Sequence, residues 1–364
     1  MERLEKQCFT KAARMAGPSI RQRLSATRGA VQAAVVNQAA HVFARMRYAL
    51  PDAHPEKHDV VVHHDVAYAE PGDVPHRLDV YIPAQSVRPT PVVMYVHGGA
   101  FSMLSKDTHR VMALAYARRG FLVFNINYRL GPRHLYPAPL EDACAALLWV
   151  HERCAEYGGD PNRLAIAGES AGGNLVTALA VAHASRRPEP FARAVFDANL
   201  PLRAVVATYP FLDLTDVDRY RLHPKIAFWA RDMLSDAAVF YVGHDIHGGV
   251  KKNPLSSPLL ILERDFRPQR PLPPFFTNAG TKDPLLPHAR RLKAAIDRLG
   301  TTCDLLVAPG EIHGYDAMVW RPAARLKWRK TYEFLEFHMR ASPVHDPLTA
   351  KEGSLETRGD AWKR

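Results

Sequence analysis

Cysteine is scarce in this chain, with four residues among 364, and no two of them form a CxxC pair. A scaffold cross-linked by disulfide bonds needs paired cysteines, so the sequence favours a reducing compartment, and we predict a cytoplasmic location. An HExxH pattern and clusters of cysteine and histidine are also absent, so no metal site is predicted. The four cysteines are Cys8, Cys144, Cys154 and Cys303.

Long apolar runs are missing as well. The longest stretches, such as residues 143–150, are far shorter than the roughly 20 residues that cross a bilayer. The first residues, MERLEKQ, include two acids and no apolar region, which is not the pattern of a secretory signal. We therefore predict no stable membrane insertion. Apolar residues make up 47% and charged residues 23% of the chain, which excludes wholesale disorder and a fibrous protein.

Positive charge exceeds negative charge by 11, and the excess is concentrated near the start of the chain. Residues 1–50 contain nine Lys and Arg but only two Glu. Such a segment is typical of an arm for membrane surfaces or nucleic acid, or of the solvated face of a helix. Zinc-finger spacing, RNA-binding aromatic motifs and a Walker sequence are absent, so no nucleic-acid partner is predicted. Apolar residues at helical spacing predict an amphipathic helix over 29–48.

The pattern of apolar residues predicts an α/β protein. Two valine-rich alternating segments, 59–68 and 77–82, are expected to form strands joined by a turn at 70–73. After residue 91, short apolar runs alternate with helical stretches, which is typical of a mostly parallel, doubly wound sheet with helices on both faces. The expected strands of this region are 92–96, 121–126, 164–167, 204–209, 275–278 and 303–307.

The alternation stops between about residues 211 and 270, a stretch rich in charged and aromatic residues. An insertion of this length between two sheet strands is usually a functional lid. The length of the chain agrees with two domains, or with one large domain that carries insertions.

The segment Gly168-Glu169-Ser170-Ala171-Gly172 lies between an expected strand and an expected helix. A strand that turns sharply into a helix strains its middle residue and exposes that side chain, and flanking glycines let the backbones pass. The helix N-terminus then offers N–H groups to a developing oxyanion. The GxSxG pattern alone is weak because it also arises by chance, but this setting makes Ser170 a candidate nucleophile.

A second glycine-rich segment, His97-Gly98-Gly99-Ala100-Phe101, directly follows another expected strand. Small residues let the backbone approach a ligand, and their N–H groups can point at a carbonyl oxygen. The alternative is an ordinary glycine turn. The GxSxG segment about 70 residues later favours the interpretation as an oxyanion-binding loop.

A serine nucleophile needs a base, and the base needs an acid to orient it. Of the 18 histidines, His313 differs because it follows the last expected strand, at the sheet edge where α/β sites form. Asp283 also directly follows a strand, and the chain order Ser170, Asp283, His313 is that expected of a hydrolase with this kind of turn. For Asp283 the alternative is a helix N-cap before Pro284.

Several blocks together resemble the hormone-sensitive-lipase-like group of α/β-hydrolases, the bacterial family IV esterases. The resemblance covers roughly residues 60–340. The blocks are HGGAF at 97–101, NYRLGPRHLYPAPLEDA at 127–143, DPNRLAIAGESAGGNL at 160–175, NPLSSPLL at 253–260, DPLLP at 283–287 and IHGY at 312–315. Their number and their order make the resemblance specific.

This resemblance implies an α/β-hydrolase fold with a helical cap, and a carboxylic ester hydrolase that needs no metal or cofactor. By matching motif positions, it implies Ser170 as the nucleophile, His313 as the base and Asp283 as the acid that orients the base. The implied oxyanion donors are the N–H groups of Gly98, Gly99, Ala100 and Ala171.

The cap would consist of the N-terminal segment and the insertion after the sixth strand. The predicted units are an N-terminal cap segment (1–55), two parts of the core (56–212 and 271–340), a cap insertion (213–270) and a polar tail (341–364). Phe101, Phe228 and Trp229 are the predicted substrate-binding residues.

Two positions depart from the family pattern. Ala100 stands where the family usually has a third glycine, and its N–H remains a donor unless its φ is positive. The oxyanion hole is therefore expected to persist, with a slightly tighter acyl side. Glu169 replaces the commoner aspartate and is one methylene longer, and the sequence does not indicate where its carboxylate points.

We predict a serine carboxylesterase for small-molecule esters with short or medium acyl chains, because a cap limits the access of long chains. An amidase, or an aryl-ester or polyester hydrolase, on the same three residues remains open. A non-catalytic ligand-binding relative is a further alternative, although such receptors lose the base and His313 is present. The sequence also leaves a homodimer open.

Overall fold

The computed structural model describes Gln38, Val42, Tyr48 and residues 53–70, 73–86, 88–222, 228–264 and 266–340. At Asp218, 221–222 and 228–231 it describes the backbone alone. Within the predicted helix over 29–48, the described residues Gln38, Val42 and Tyr48 are helical. The rest of that helix and the predicted tail over 341–364 lie outside the described residues.

The described strands form one sheet in the order β1-β2-β4-β3-β5-β6-β7-β8. The strands are β1 (Val60–Ala67), β2 (Arg77–Pro83), β3 (Thr90–Val96), β4 (Leu122–Ile126), β5 (Gly159–Glu169), β6 (Leu202–Thr208), β7 (Phe275–Gly280) and β8 (Cys303–Ala308). β2 pairs antiparallel with β1 and β4, whereas the other neighbouring strands pair in parallel. The predicted mostly parallel sheet is confirmed, and each expected strand is present within a few residues of its predicted bounds.

Helices cover both faces of this sheet. They are α1 (Arg110–Ala117), α2 (Ala138–Arg153), α3 (Ala171–Ala184), α4 (Pro190–Asp197), α5 (Val217–Leu222), α6 (Phe228–Val242), α7 (Ile246–Lys252), α8 (Pro258–Glu263), α9 (Leu286–Arg298) and α10 (Pro322–His338). No helix in the described ranges is long and apolar enough to cross a membrane.

Strand β3 shows how the sequence produces two cores. Val92, Met94 and Val96 belong to the larger core, which also contains apolar residues of α2, α3 and α9. Val93 and Tyr95 belong to the second core, with residues of α1 and α10. Side chains alternate along a strand, so a strand covered on both faces must be apolar at nearly every position. β3 meets this requirement and lies in the middle of the sheet.

The regular alternation predicted over 59–68 is wrong in its second half. The register of β1 shifts between His63 and Val66, and Asp65 has a φ of 58°. The N–H of Asp65 donates to Oδ1 of Asp79 at 3.0 Å, and its carboxylate lies 3.0 Å from Nζ of Lys106. The backbone therefore bulges toward a buried ion pair, and a bulge interrupts the two-residue period of a strand.

The insertion between β6 and β7 folds as helices. α5 and α6 pack on each other, and α8 packs on α3 and α9 of the core. The ring of Tyr241 on α6 stacks on Phe101, with 3.9 Å between centroids and planes 3° apart. The insertion is thereby in contact with the glycine loop that follows β3. The predicted limits of the cap and core units stay a prediction.

Candidate active site

Ser170 lies at the turn between β5 and α3. Its φ of 52° and ψ of −112° place a non-glycine residue in a strained region of backbone space. Three backbone hydrogen bonds hold the turn. The N–H of Ser170 donates to the carbonyl of Thr208 at 2.9 Å, and the N–H groups of Asn174 and Phe211 donate to the carbonyl of Ser170, both at 3.1 Å. The strand and helix predicted around Ser170 are present, and the side chain of Ser170 remains partly exposed.

The flanking glycines explain how such a tight turn is possible. A Cβ on Gly172 would lie 2.1 Å from the carbonyl oxygen of Val96, and one on Gly168 would lie 2.5 Å from the carbonyl oxygen of Gly172. Both distances are well below van der Waals contact. Any larger residue at either position would push α3 away from the end of β3, and the turn would open.

The glycine loop after β3 presents unused N–H groups beside this turn. Within the described part of the chain, the N–H groups of Gly98, Gly99 and Ala100 have no hydrogen-bond acceptor. Ala171 is the first residue of α3, and the first N–H groups of a helix have no partner inside the helix. Gly99 has a φ of 116°, and a Cβ there would lie 2.0 Å from the carbonyl oxygen of Met103.

The prediction that the N–H of Ala100 remains a donor assumed that the φ of Ala100 is not positive. That assumption is wrong. Ala100 has a φ of 53° and Phe101 one of 58°, both in the left-handed region. A side chain in that region costs about 1–2 kcal/mol because its Cβ crowds the backbone. The N–H of Ala100 nevertheless has no acceptor among the described residues, so it stays free to donate.

His313 and Asp283 are brought together by the loops after β8 and β7. Nδ1 of His313 lies 2.9 Å from Oδ2 of Asp283. The side chain of Asp283 is fully buried, at 0% exposure, whereas that of His313 is 31% exposed. Oδ1 of Asp283 accepts from the N–H of Leu285 at 2.8 Å. One carboxylate therefore caps the turn before α9 and also orients the imidazole.

The environment of His313 favours its protonated form. Burial lowers the pKa of His313, but the charge and hydrogen bond of Asp283 outweigh burial, so the pKa is raised above the usual 6.5. When Nδ1 donates to the carboxylate, the lone pair of the neutral ring is on Nε2, the atom that can accept a proton.

The hydroxyl of Ser170 makes no hydrogen bond within the described residues. Catalytic hydrogen bonds are often long in the absence of substrate, and a serine hydroxyl without a partner agrees with that.

The carboxylate of Glu169, whose direction the sequence does not indicate, lies in a buried polar cluster. Oε1 lies 2.7 Å from Nε2 of His109, and Oε2 accepts from the hydroxyl of Tyr209 at 3.0 Å. The hydroxyl of Tyr209 also lies 2.7 Å from Oδ1 of Asp316. Oδ2 of Asp316 in turn lies 2.8 Å from Nζ of Lys327. Sequence reasoning missed four of these residues because they are far apart in the chain and match no motif.

Of the three predicted substrate-binding residues, the structure describes the side chain of Phe101 alone. The ring of Phe101 is fully buried and stacks on Tyr241 of α6. Phe228 and Trp229 form the start of α6, and their side chains lie outside the described part. A substrate contact at these three residues stays a prediction.

Comparison with known proteins places the chain in a family. A family model described as the alpha/beta hydrolase fold matches residues 93–317. Carboxylesterase NlhH of Mycobacterium tuberculosis is 33% identical over 259 residues, which cover 69% of this chain and 73% of that protein. Esterase LipI of the same organism is 31% identical over 234 residues, covering 62% of this chain and 65% of LipI.

Solved structures show the same fold. Esterase LipW from Mycobacterium marinum is 26% identical with a TM-score of 0.68, and the match covers 85% of this chain and 90% of LipW. An esterase of Pyrobaculum calidifontis has a TM-score of 0.67 at 23% identity, covering 84% of this chain and 92% of that one. At that identity the second likeness concerns the fold alone. The family model spans more than half of the chain, and the chain therefore belongs to the α/β-hydrolases, in their hormone-sensitive-lipase-like group.

Proposed function

We propose that the protein is a serine carboxylesterase that hydrolyses small-molecule esters with short or medium acyl chains through an acyl-enzyme intermediate. The observation that carries this proposal is the placement of Ser170 on a strained turn beside free N–H groups, at the same sheet edge as the His313–Asp283 pair. The similarity to proteins named carboxylesterase and esterase supports the same reaction.

In the proposed reaction, Oγ of Ser170 attacks the ester carbonyl carbon while Nε2 of His313 takes the hydroxyl proton. Asp283 stabilises the imidazolium that forms. The tetrahedral intermediate collapses, and His313 returns the proton to the leaving alcohol. Water then attacks the acyl-enzyme with His313 as base again, which releases the acid and restores Ser170.

The carbonyl oxygen becomes an anion in both tetrahedral intermediates. The free N–H groups of Gly98, Gly99, Ala100 and Ala171 are the proposed donors to it. Each well-aligned donor of this kind contributes about 3–4 kcal/mol to transition-state stabilisation. The N-terminus of α3 adds a positive dipole at the same place.

The acyl-chain preference is tested by a series of p-nitrophenyl esters from acetate to palmitate. We expect kcat/KM to be highest among the short and medium esters and on the order of tenfold or more lower for palmitate, because the proposed cap would limit the access of long chains. Ser170→Ala measured on the same esters is the matched control for uncatalysed and contaminating hydrolysis. A maximum at palmitate would contradict the proposed role of the cap.

The activity should depend on pH through His313. A general base must be neutral, so kcat/KM is expected to rise with pH as the imidazolium of His313 loses its proton. Because Asp283 raises the pKa of His313, the midpoint of this rise should lie above 6.5, the usual value for histidine. Measurement of kcat/KM for one ester from pH 5 to 9 tests this, and a flat profile would exclude a histidine base.

Chelators should leave the activity unchanged. Within the described residues no group of three or more His, Cys, Asp or Glu is arranged to hold a metal ion. The proposed mechanism uses only side chains and backbone N–H groups, so kcat should be the same before and after dialysis against EDTA. Inhibition that added zinc reverses would show that a metal takes part.

A cytoplasmic location is also proposed, because the described cysteines, Cys144, Cys154 and Cys303, are free and buried. That the protein binds neither nucleic acid nor a membrane stably stays a prediction from the sequence, and a homodimer stays open.

A further inference from the structure

Five buried polar residues form a connected cluster behind the proposed nucleophile. Glu169 and Asp316 both contact the hydroxyl of Tyr209, at 3.0 and 2.7 Å. His109 pairs with Glu169 at 2.7 Å, and Lys327 pairs with Asp316 at 2.8 Å. The cluster joins the ends of β5 and β6 to the loops before α1 and α10 and to α10 itself.

The charges of this cluster balance. Burial lowers the pKa of His109, but Glu169 outweighs burial and raises it, which favours the protonated ring. Burial raises the pKa of Glu169, but His109 outweighs burial and lowers it to about 2. With the Lys327–Asp316 pair, two cations face two carboxylates around one neutral phenol. Such a buried group of charges is tolerated only if each member is paired.

Tyr209 is the member that connects the two ion pairs. Its hydroxyl has one proton for two carboxylates, so the phenol is held between them rather than by either alone. The backbone of Tyr209 has a φ of 32°, and its N–H donates to the carbonyl of Asn278 at 2.8 Å. A bulky residue keeps a positive φ only where its surroundings hold it there.

The ring of Tyr209 lies against the proposed base. Its centroid is 4.5 Å from that of the His313 ring, with the planes at 61°. The hydrogen bond to Asp283 fixes the distance of Nδ1 but leaves the imidazole free to turn about the line between donor and acceptor. A ring packed against the imidazole removes that remaining freedom, and the direction in which Nε2 points depends on it.

We propose that Tyr209 is a positioning residue for His313, and that Glu169 and Asp316 hold it in place through its hydroxyl. This inference rests on the proposed esterase function, because the position of His313 matters only if His313 is the base. It also gives a reason for a glutamate before Ser170, since the two oxygens of Glu169 contact both His109 and Tyr209.

The same carboxylates also affect His313 electrostatically. The acids that face it are Asp283 on the loop after β7, Glu169 at the end of β5 and Asp316 on its own loop, and all three raise its pKa. The cations His109 and Lys327 pair with Glu169 and Asp316. Removing the charge of Glu169 should therefore shift the titration of His313 to lower pH, even though His109 would then lose its own charge.

The test compares Tyr209→Phe, Tyr209→Leu and Glu169→Gln with the wild type. Tyr68→Phe is the matched control, because the buried hydroxyl of Tyr68 also faces two acceptors, the carbonyls of Pro75 and Asn127, outside the site. A positioning role predicts that kcat falls while KM changes little. A displacement of about 1 Å can cost on the order of 100-fold, so we expect a loss of that order for Tyr209→Leu and on the order of tenfold for Tyr209→Phe.

Two readouts separate positioning from a structural role. For Glu169→Gln, the acid side of the kcat/KM profile should move to lower pH. In ¹H NMR spectra, the low-field resonance of the His313–Asp283 hydrogen bond should weaken or shift in both Tyr209 variants and stay unchanged in Tyr68→Phe. The thermal midpoint of each variant shows whether it folds; if Tyr209→Leu does not, Tyr209→Phe and Glu169→Gln decide.

The inference is overturned if Tyr209→Phe has the kcat and the low-field resonance of the wild type, or if Glu169→Gln leaves the pH profile in place. Failure of the proposed function gives a different result. In that case the wild type would not hydrolyse esters, whereas the NMR resonance would still respond to the Tyr209 variants, so the two failures are distinguishable.

Discussion

Ser170→Ala is expected to lower kcat on a short p-nitrophenyl ester by on the order of 10⁴-fold or more while the protein keeps its fold. The substitution removes the nucleophile, and the base and oxyanion donors cannot act on the ester carbonyl without it. The hydroxyl of Ser170 makes no helix-capping hydrogen bond, and the backbone hydrogen bonds of the turn remain. The thermal midpoint should therefore stay close to that of the wild type.

Ser86→Ala provides the matched control for this prediction. The hydroxyl of Ser86 hydrogen-bonds to the carbonyl of Pro83 and to Thr90, near the start of β3 and away from the proposed site. Its loss should leave kcat unchanged. A Ser170→Ala enzyme that retained even a tenth of the wild-type turnover would show that another group is the nucleophile.

The turn at Ser170 could be predicted from the sequence because the features that form it are local. An apolar strand, a glycine on each side of the serine and an apolar helix all lie within about 20 residues. The structure adds the reason for the glycines, since a Cβ on Gly172 would meet the backbone of β3. The sheet was predictable on the same basis, because strands buried on both faces carry continuous apolar runs.

The surroundings of Glu169 could not be predicted in this way. Its partners His109 and Tyr209 lie 60 and 40 residues away along the chain. Neither partner belongs to a motif, and a buried tyrosine or histidine has the same local pattern whether or not it contacts a carboxylate. The contact arises only when the ends of β5 and β6 are brought side by side in the sheet.

The positive φ of Ala100 and the bulge in β1 also depend on contacts with residues far away in the chain. Non-glycine residues rarely adopt a positive φ, so the sequence favours an ordinary backbone at Ala100. The stacking of the next residue, Phe101, on Tyr241 of the insertion stabilises this strained backbone. At Asp65 the bulge follows from Asp79 and Lys106, which lie 14 and 41 residues further along the chain.

Asp283 has two roles in the structure, and Asp283→Asn separates them. The alternative of a helix N-cap at Asp283 is wrong, because the N-cap of α9 is Leu285. Oδ1 of Asp283 instead accepts from the N–H of Leu285 in the turn before the helix, and an asparagine oxygen can do this as well. Its amide nitrogen would then face Nδ1 of His313 in place of Oδ2. An N–H group at that position favours the imidazole tautomer whose proton is on Nε2, and this tautomer cannot accept the proton of Ser170.

We therefore expect Asp283→Asn to lower kcat by roughly 10³- to 10⁴-fold, with a much smaller change in KM. Asp160→Asn is the matched control, because Oδ1 of Asp160 also accepts from an N–H two residues ahead and its Oδ2 contacts Arg163, at the other end of β5. That variant should keep the wild-type kcat. Steady-state kinetics on one ester, with the thermal midpoint of each variant, gives the comparison. If Asp283→Asn also kept the wild-type kcat, Asp283 would only hold the turn before α9, and the imidazole of His313 would need another partner.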